Sequence, residues 1–359
     1  MNKLKFSVLG AGAGGQSMAA ILSSQGYSVK LYDNNSSKIE TLKQRGSIQL
    51  SGKITCEGRP ELITDVLADA LNDVDVIMIA TTTDAHKALA NACAPYLRDG
   101  QILLLNPGHV CGALEVSYII RDIHHCTADV VIGECSDLMY SCRVLEVGSI
   151  FHSGLKSRTE VATLPSADIG RLMEKLQPIF PNLVAAKNIL ETGFEGSGAM
   201  LHPIPSFMNV NHTDRGERYD YYIEGITPSI AKLVSQCDQE RLAVCRALGL
   251  NVPSLVENLQ HIYGLEQDDL YDLLQHNNAY KGLNSPPNIQ HRFFTEDTLC
   301  GIVPLASVGA MLGVKTPIMD SFIQIASVIC GRDFLAEGRN AESLGLVGKS
   351  PEEIQALVR

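Results

Sequence analysis

The sequence predicts an α/β domain built on a doubly wound parallel sheet, followed by an all-helical domain. Short apolar runs alternate with helical patterns as far as residue 165, with polar or glycine-rich loops between them. The run at residues 74–80 is unbroken, which is typical of a parallel strand buried on both faces. Beyond residue 182 the apolar residues recur almost only at helical spacing. We therefore predict two domains, at residues 1–183 and 184–359.

The first elements form a strand, a glycine-rich turn, a helix and a second strand. An apolar run at residues 6–9 precedes Gly10, Gly12 and Gly15, which have G-x-G-x-x-G spacing. A helical pattern and a second apolar run follow, and Asp33 closes the second run. The first glycine permits a tight turn, the second lets the backbone approach a pyrophosphate, and the third lets the helix pack on the strand. This context favours a Rossmann-type dinucleotide-binding motif over a glycine-rich turn without a ligand.

The start of the helix and the acid after the second strand predict how the dinucleotide binds. The helix N-terminus, where Ala13 stands, offers N–H groups and the positive end of the helix dipole to a pyrophosphate. Asp33 stands where its carboxylate would accept hydrogen bonds from the adenosine ribose hydroxyls. An acid here favours NAD because it repels a 2′-phosphate, whereas Lys38 close behind leaves NADP open.

Composition and charge indicate a folded protein with no membrane or nucleic-acid partner. Hydrophobic residues make up 45% of the chain, charged residues make up 19%, and the formal net charge is -11. No apolar run is long enough to cross a bilayer, and the chain enters its first strand without a signal peptide. Ten cysteines without C-x-x-C pairs are typical of reduced thiols in the cytoplasm.

A possible metal site is suggested by the adjacent residues His124, His125 and Cys126. Since neighbours in sequence rarely converge on one ion, we expect a surface turn and no metal site.

Polar residues follow two predicted strands at their carboxyl ends. Thr81 comes directly after the strand at residues 74–80, and Asn106, Pro107 and Gly108 make a sharp turn after the next apolar run. Open α/β sheets bind their ligands at this edge. We therefore predict that these four residues contact the cofactor.

The remaining elements follow the same patterns. In the first domain we expect helices at residues 36–46, capped by Ser36 or Ser37, at 67–71, at 84–97, capped by Asp84, at 113–121 and at 168–176. Residues 144–165 are expected to add strands to the same sheet. In the second domain we expect helices at residues 228–248, capped by Thr227, and at 254–263, 268–275, 304–312, 317–331 and from 351. A further segment at 185–200 is broken at His202-Pro203-Ile204-Pro205, where two prolines fix the backbone around His202.

Several segments of the chain resemble one known family. Besides the glycine loop and Asn106-Pro107-Gly108, they are AMLHP at 199–203, YYIEGITP at 221–228, RFFTED at 292–297, GIVPL at 301–305 and Thr316-Pro317. On these residues the whole chain resembles the compact bacterial opine dehydrogenases of the octopine/nopaline dehydrogenase family. The glycine loop and Thr316-Pro317 also occur in ketopantoate reductase and glycerol-3-phosphate dehydrogenase, whereas the segments around His202, Tyr221 and Arg292 are more discriminating.

The resemblance implies an activity and a set of catalytic residues. In that family an α-keto acid, commonly pyruvate, condenses with the amino group of an L-amino acid, and hydride from NAD(P)H reduces the imine to an opine. The catalytic histidine would be His202, its partner acid Asp297, and the arginine that holds a substrate carboxylate Arg292. The resemblance further implies an apolar L-amino acid donor and a homodimer formed by the helical domain. From the two-domain architecture itself we expect the active site in the cleft between the domains.

These residue types suit that chemistry. Histidine donates and accepts protons near neutrality, and a carboxylate beside it fixes its tautomer. Arginine holds a planar carboxylate through two parallel hydrogen bonds. Structural roles remain open at this stage: Arg292 and Asp297 would also suit a surface ion pair, and Tyr221, Tyr222 and Glu224 would suit either an amino-acid pocket or helix packing.

Two other functions are carried as alternatives. The first is an α-keto acid reductase of the ketopantoate reductase type, which would oxidise NAD(P)H without an amine. That type generally relies on a lysine and a glutamate rather than a histidine–aspartate pair, which counts against it. The second is a non-catalytic NAD-binding protein, which would bind the cofactor without turnover.

Overall fold

The computed structural model describes residues 3–196 and 198–359, and the chain divides into two compact units. The first unit comprises Met1–Thr192 and Val358–Arg359, and the second comprises Gly193–Leu357. Within the described ranges, no helix combines the length and the apolar character needed to cross a membrane.

Twelve described strands form two sheets in the first unit. They are β1 (Lys5–Leu9), β2 (Ser28–Tyr32), β3 (Ile48–Gly52), β4 (Cys56–Gly58), β5 (Leu62–Thr64), β6 (Val76–Ile79), β7 (Ile102–Leu105), β8 (Val131–Cys135), β9 (Tyr140–Glu146), β10 (Ser149–Leu155), β11 (Thr159–Leu164) and β12 (Leu183–Ala185). The larger sheet has the order β12-β11-β8-β7-β6-β1-β2-β5. Its strands from β8 to β5 are parallel, whereas β11 runs antiparallel to β8. The predicted doubly wound, mostly parallel sheet is confirmed.

The helices of the first unit alternate with its strands. They are α1 (Ala13–Ser24), α2 (Ser36–Arg45), α3 (Leu67–Leu71), α4 (His86–Cys93), α5 (Gly112–Tyr118) and α6 (Ile169–Leu176). The next helix, α7 (Ile189–Phe194), ends in the second unit.

Two of the helix caps predicted from the sequence, for α2 and α4, are wrong. Asn35, which caps as well as serine does, accepts from the Lys38 N–H and caps α2, and Asp84 lies within a 3₁₀ turn that precedes α4.

The prediction that residues 144–165 complete the main sheet is wrong for β9 and β10. These strands form a hairpin that pairs with β3 and β4 in a separate four-stranded sheet of order β4-β3-β10-β9. The reason lies in α1, whose residues Met18, Ala19 and Leu22 are fully buried on more than one face. The second sheet covers the side of α1 that the main sheet leaves open. At one point Gly58 of β4 lies so close to α1 that a Cβ there would overlap the backbone of Ala20.

His152 on β10 is a buried histidine whose protonation opposes folding. It is fully buried in a T-shaped contact with the Tyr140 ring, and neither ring nitrogen has a protein partner among the described residues. Burial lowers the pKa of His152 below its usual value. The unfolded chain therefore binds a proton that the folded chain does not, and this contribution to stability is present above about pH 6.5 and lost as the pH falls below it.

We expect the apparent melting temperature of the first unit to fall between pH 7.5 and 5.5, and less so in His152→Phe. A single such histidine changes the free energy of unfolding by up to about 1.4 kcal/mol per pH unit. The measurement is thermal unfolding followed by circular dichroism at four pH values. His124→Phe, at an exposed histidine that bonds Asn91, is the matched control. An unchanged pH dependence in His152→Phe would show that this imidazole does not resist protonation in the folded chain.

The second unit is helical, as predicted. Its described helices are α8 (Gly198–Leu201), α9 (Pro203–Met208), α10 (Val210–Asp214), α11 (Pro228–Ala247), α12 (Leu255–Tyr263), α13 (Leu270–His276), α14 (Val303–Met311), α15 (Pro317–Cys330), α16 (Phe334–Glu337) and α17 (Pro351–Leu357). The predicted start of α11 is confirmed, since Thr227 accepts from the Ile230 N–H and Pro228 occupies the first position. The predicted segment at 185–200 contains a strand and two short helices, and it includes Ser197, which lies outside the described residues.

Within the second unit, α11 is anchored by a buried charged pair. Arg241 is 2% exposed, and its Nε donates to Asp238 Oδ1 at 2.7 Å. Its other nitrogens donate to the carbonyl oxygens of Phe194 and Pro253 at 2.7 and 2.9 Å, and Asp238 Oδ2 accepts from the Leu255 N–H. One guanidinium therefore joins two other segments of the chain, at Phe194 and Pro253, to α11.

Candidate active site

The glycine turn of the first unit has the close approaches that its spacing predicts. Gly10 has a φ of 106°, and a Cβ there would lie 2.7 Å from Thr81 Cγ2 and 2.8 Å from the Ala80 carbonyl oxygen. A Cβ at Gly15 would overlap the carbonyl oxygen of Gly10, so α1 could not sit this close to β1 with any larger residue. A Cβ at Gly12 would meet nothing within 4 Å. The second glycine thus faces open space, where a ligand can approach the backbone.

The N-terminus of α1 fits the pyrophosphate of a dinucleotide. The helix begins at Ala13, and no side chain caps it at Gly12. The N–H groups of its first turn are therefore not occupied by a capping side chain, and the helix dipole places positive potential at them.

Asp33 is mostly buried, and its carboxylate already holds several donors. Oδ2 accepts from the Ala11 N–H at 2.7 Å and from Lys38 Nζ at 2.8 Å, and Oδ1 accepts from the Asn35 N–H at 3.0 Å. Burial alone would raise the pKa of Asp33, but the bonds from Lys38, Ala11 and Asn35 outweigh it and lower that pKa below its usual value. The carboxylate is therefore ionised, and Lys38 offsets much of the repulsion it would exert on a 2′-phosphate.

We expect Lys38→Ala to shift cofactor preference toward NADH. Without the ammonium group the Asp33 charge is uncompensated, so NADPH binding should weaken relative to NADH by about threefold to tenfold. The ratio of the two dissociation constants, measured by quenching of protein fluorescence, tests this. Lys43→Ala, in the last turn of the same helix, is the control. An unchanged ratio would mean that Lys38 does not affect cofactor selection.

Two of the predicted residues at the strand ends, Thr81 and Asn106, carry a buried polar side-chain atom without a hydrogen-bond partner among the described residues. Asn106 is buried, and its Oδ1 accepts from the Met139 N–H at 3.1 Å. In the described part of the chain, Asn106 Nδ2 and Thr81 Oγ1 are buried without a hydrogen-bond partner. Buried polar groups are seldom left unpaired, so a ligand at this edge that bonds to them fits the site. Pro107 follows through a cis peptide bond, and a Cβ at Gly108 would lie within 2.6 Å of Glu134.

In the second unit, His202 is bonded through both ring nitrogens. Nδ1 lies 3.1 Å from Oδ2 of Asp297, which is 3% exposed, and Nε2 lies 3.1 Å from the hydroxyl of Tyr222. The imidazole also stacks on the ring of Phe293, with centroids 4.0 Å apart and planes 13° apart. The structure therefore brings together His202 and Asp297, as the resemblance implied.

The local sequence explains how His202 is held. It immediately precedes Pro203, the first residue of α9, and its carbonyl oxygen accepts from the hydroxyls of Ser206 at 2.7 Å and Tyr221 at 2.5 Å. Asp297 lies directly before a π-helical turn, Thr298–Ile302, of the kind often found at functional sites. Backbone and ring of the histidine are thus fixed independently.

Arg292 is not paired with Asp297. Its side chain is 54% exposed, its guanidinium lies over the Phe293 ring at 5.4 Å, and its Nη1 is 3.7 Å from Oε2 of Glu296. The surface ion pair of Arg292 with Asp297, left open from the sequence, is not formed, because Asp297 faces His202. Neighbouring His291 is neutral: burial, followed by the charge of Arg292, lowers its pKa to about 4.

Sequence reasoning missed part of this arrangement. The hydroxyl of Tyr222 at Nε2 and the ring of Phe293 under the imidazole were not predicted as contacts of His202. Both residues lie within the segments that carry the resemblance, at 221–228 and 292–297. That clustering was the available signal, but it does not show which atoms meet.

Comparison with known proteins identifies the family to which the chain belongs. The α-helical domain model of NAD/NADP octopine/nopaline dehydrogenase matches residues 185–330, and the N-terminal model of NAD-dependent glycerol-3-phosphate dehydrogenase matches residues 5–108. Opine dehydrogenase of Arthrobacter sp. (strain 1C) is 36% identical over 354 residues, which cover 98% of each chain. The chain belongs to the octopine/nopaline dehydrogenase family.

More distant relatives and solved structures are similar to the chain over most of its length. Vitopine synthase of Allorhizobium ampelinum is 25% identical over 82% of this chain and 81% of its own. The structure of octopine dehydrogenase with NADH and L-arginine has the same fold, with a TM-score of 0.79 over 98% of each chain at 22% identity. Yersinopine dehydrogenase with NADP+ superposes with a TM-score of 0.77 over 99% of each chain at 15% identity.

Family membership establishes the reaction class. The chain is an NAD(P)-dependent oxidoreductase that acts on CH–NH donors, and it reductively condenses an α-keto acid with an amino acid. The G-x-G-x-x-G turn, the uncapped start of α1 and Asp33 are the features of the first unit that suit NAD(P).

Proposed function

We propose that this opine dehydrogenase condenses pyruvate with the amino group of an apolar L-amino acid, with His202 as the acid–base group. The observation that carries the proposal is the contact of His202 Nδ1 with buried Asp297, at 3.1 Å, within the family's helical domain. Pyruvate is proposed because a structure of octopine dehydrogenase with NADH and pyruvate has a TM-score of 0.74 to this chain. The aromatic rings around His202 favour an apolar amino acid.

The proposed roles in unit 2 follow from the geometry of the side chains. His202 takes a proton from the incoming ammonium group and returns a proton to the carbinolamine hydroxyl as it leaves. Asp297 keeps the Nδ1–H of the imidazole in place and stabilises the imidazolium that forms. The exposed guanidinium of Arg292 binds the carboxylate of the keto acid and orients its carbonyl carbon.

The proposed cofactor site lies in the first unit. Gly10, Gly12, Ala13 and Gly15 form the turn that receives the pyrophosphate, with Gly12 as the point of backbone approach. Asp33 binds the adenosine ribose, and Thr81, Asn106, Pro107 and Gly108 contact the remainder of the dinucleotide. The nicotinamide, when bound, supplies the hydride that reduces the imine carbon. In this proposal residues 1–183 form the cofactor domain, and residues 184–359 form the domain that binds substrate and dimerises.

We also propose a cytoplasmic homodimer. All ten cysteines are free thiols, which suits a reducing compartment. Helix α15 exposes the apolar residues Ile325, 49% exposed, and Val328, 84% exposed, which suits a helical face that pairs with a second copy. Sedimentation equilibrium of the unaltered chain and of Val328→Asp measures the oligomeric state.

The deciding experiment is oxidation of NADH by pyruvate with and without each of a panel of L-amino acids. The proposal requires oxidation that depends on the amine, and a secondary amine dicarboxylate as product. Oxidation without any amine would instead identify a keto acid reductase. If pyruvate gives no oxidation with NADH, the panel is repeated with NADPH and with glyoxylate or 2-oxoglutarate as the keto acid. Absence of oxidation in all of these combinations would refute the proposed function.

A further inference from the structure

The hydroxyl of Tyr222 covers the nitrogen of His202 that Asp297 does not bind. The ionised carboxylate of Asp297 only accepts hydrogen bonds, so Nδ1 of the imidazole carries the proton that faces it. In neutral imidazole Nε2 is then an acceptor. In that state Tyr222 Oη, 3.1 Å from Nε2, donates its proton to that nitrogen. Any proton that reaches Nε2 must displace this hydroxyl or pass through it.

The Tyr222 phenol remains protonated. The residue is 6% exposed, and burial, followed by the charge of Asp297, raises its pKa well above the usual value. A free phenolate at this position is therefore disfavoured, and a proton can pass through Oη only if one arrives as another leaves.

The two rings cannot separate without losing their packing. The Tyr222 ring stacks on Tyr280, with centroids 4.1 Å apart and planes 13° apart, and it lies nearly perpendicular to the Tyr221 ring, with centroids 4.9 Å apart. His202 is held by its own stack on Phe293 at 4.0 Å. Tyr221 is fixed in turn by its bonds to the His202 carbonyl oxygen and to Ser206. Rotation of either ring would break an aromatic stack, so displacement of the hydroxyl by substrate is disfavoured.

We propose that Tyr222 is a catalytic residue that relays protons between His202 and the substrate. The proposal rests on the proposed function. When the ammonium group of the amino acid is deprotonated, its N–H bond breaks and the electron pair stays on nitrogen. The proton moves to Oη of Tyr222 while the Oη proton moves to Nε2 of His202. When the carbinolamine dehydrates, Nε2–H returns a proton to Oη, the Oη proton goes to the leaving hydroxyl, and water departs as the C=N bond forms.

The first test is a proton inventory of the unaltered full-length enzyme under single-turnover conditions with NADH, pyruvate and the amino acid it uses. Two protons move together in the relay, so the rate should depend on the deuterium fraction of the solvent along a curve. A linear dependence, which reports one moving proton, would overturn the relay without any variant being needed.

The second test compares Tyr222→Phe with Tyr263→Phe. Tyr222→Phe retains the stack on Tyr280 and loses only the hydroxyl, so the single-turnover rate should fall on the order of 10- to 100-fold, with KM for both substrates and the NADH dissociation constant within about threefold. Its proton inventory should become linear. Tyr263→Phe makes the same chemical change at the outer end of the stack, 5.3 Å from Tyr280, and should leave rate and inventory unchanged.

Three outcomes separate the two proposals. A Tyr222→Phe rate within about threefold of that of Tyr263→Phe would overturn the relay. If Tyr222→Phe fails to fold, as judged by circular dichroism, the inventory of the unaltered enzyme decides. NADH oxidation that needs no amine would contradict the proposed function, and the relay would still be judged by the same inventories, because reduction of a keto acid also consumes a proton.

Discussion

Replacing His202 with alanine is expected to lower turnover by a factor on the order of 10² or more and to leave NADH affinity nearly unchanged. The substitution removes the imidazole that Asp297 and Tyr222 hold between them, at 3.1 Å each. The residues proposed to bind the dinucleotide belong to the first unit and do not depend on that ring. Steady-state turnover with pyruvate and the amino acid, beside NADH titration by fluorescence, measures both quantities.

A control variant and a rescue experiment distinguish loss of the catalytic imidazole from a general effect of replacing a histidine in this unit. His212→Ala removes an exposed imidazole that pairs with Glu217 in the same unit, and it should leave turnover unchanged. Added imidazole should restore part of the rate of His202→Ala, because a small base can enter the space of the missing ring. Normal turnover in His202→Ala would remove this residue from the chemistry.

The second large effect is expected at Arg241, which is not part of the proposed site. Arg241→Met should lower the free energy of unfolding by about 3–5 kcal/mol, because it leaves Asp238 as a buried charge without its partner. The carbonyl oxygens of Phe194 and Pro253 also lose their donors. Urea unfolding followed by helical circular dichroism measures the loss, since α11 and the helices around it supply much of that signal.

Two further variants test whether the loss of stability comes from the buried charge of Asp238. Arg246→Met removes an exposed arginine from the same helix and should cost less than about 0.5 kcal/mol. The double variant Arg241→Met/Asp238→Asn removes the uncompensated charge and should be more stable than Arg241→Met alone. If the double variant is less stable, the bond that the Asp238 carboxylate accepts from the Leu255 N–H contributes more to stability than the uncompensated charge costs.

Short-range patterns predicted the fold well, and long-range pairing limited the prediction. The glycine spacing and the apolar runs identify the parallel sheet because each depends on neighbours in the chain. The pairing of β10 with β3 joins residues about 100 positions apart, and no local pattern distinguishes it from pairing within the main sheet. The N-cap of α2 was misplaced because Asn35, Ser36 and Ser37 are all suitable caps and only the backbone geometry selects one.

The candidate site was predicted through resemblance rather than through physics. His202 and Asp297 are separated by 95 positions, and nothing in composition or periodicity brings them together. The contact of the Tyr222 hydroxyl with Nε2 could not be predicted either, since it depends on how the segment at 221–228 packs against α9. In contrast, the Lys38 bond to Asp33 could have been predicted from the sequence, because the two residues are five positions apart across the start of one helix.

The close approach of Gly58 to Ala20 bears on how sequence variation in this family should be interpreted. Gly58 cannot take a side chain while α1 stays between the two sheets, and it does not lie among the residues proposed for chemistry. A survey of homologues or a library of substitutions would therefore find position 58 restricted to glycine. That restriction would reflect the spacing between α1 and β4, so it should not be mistaken for the mark of a second ligand site.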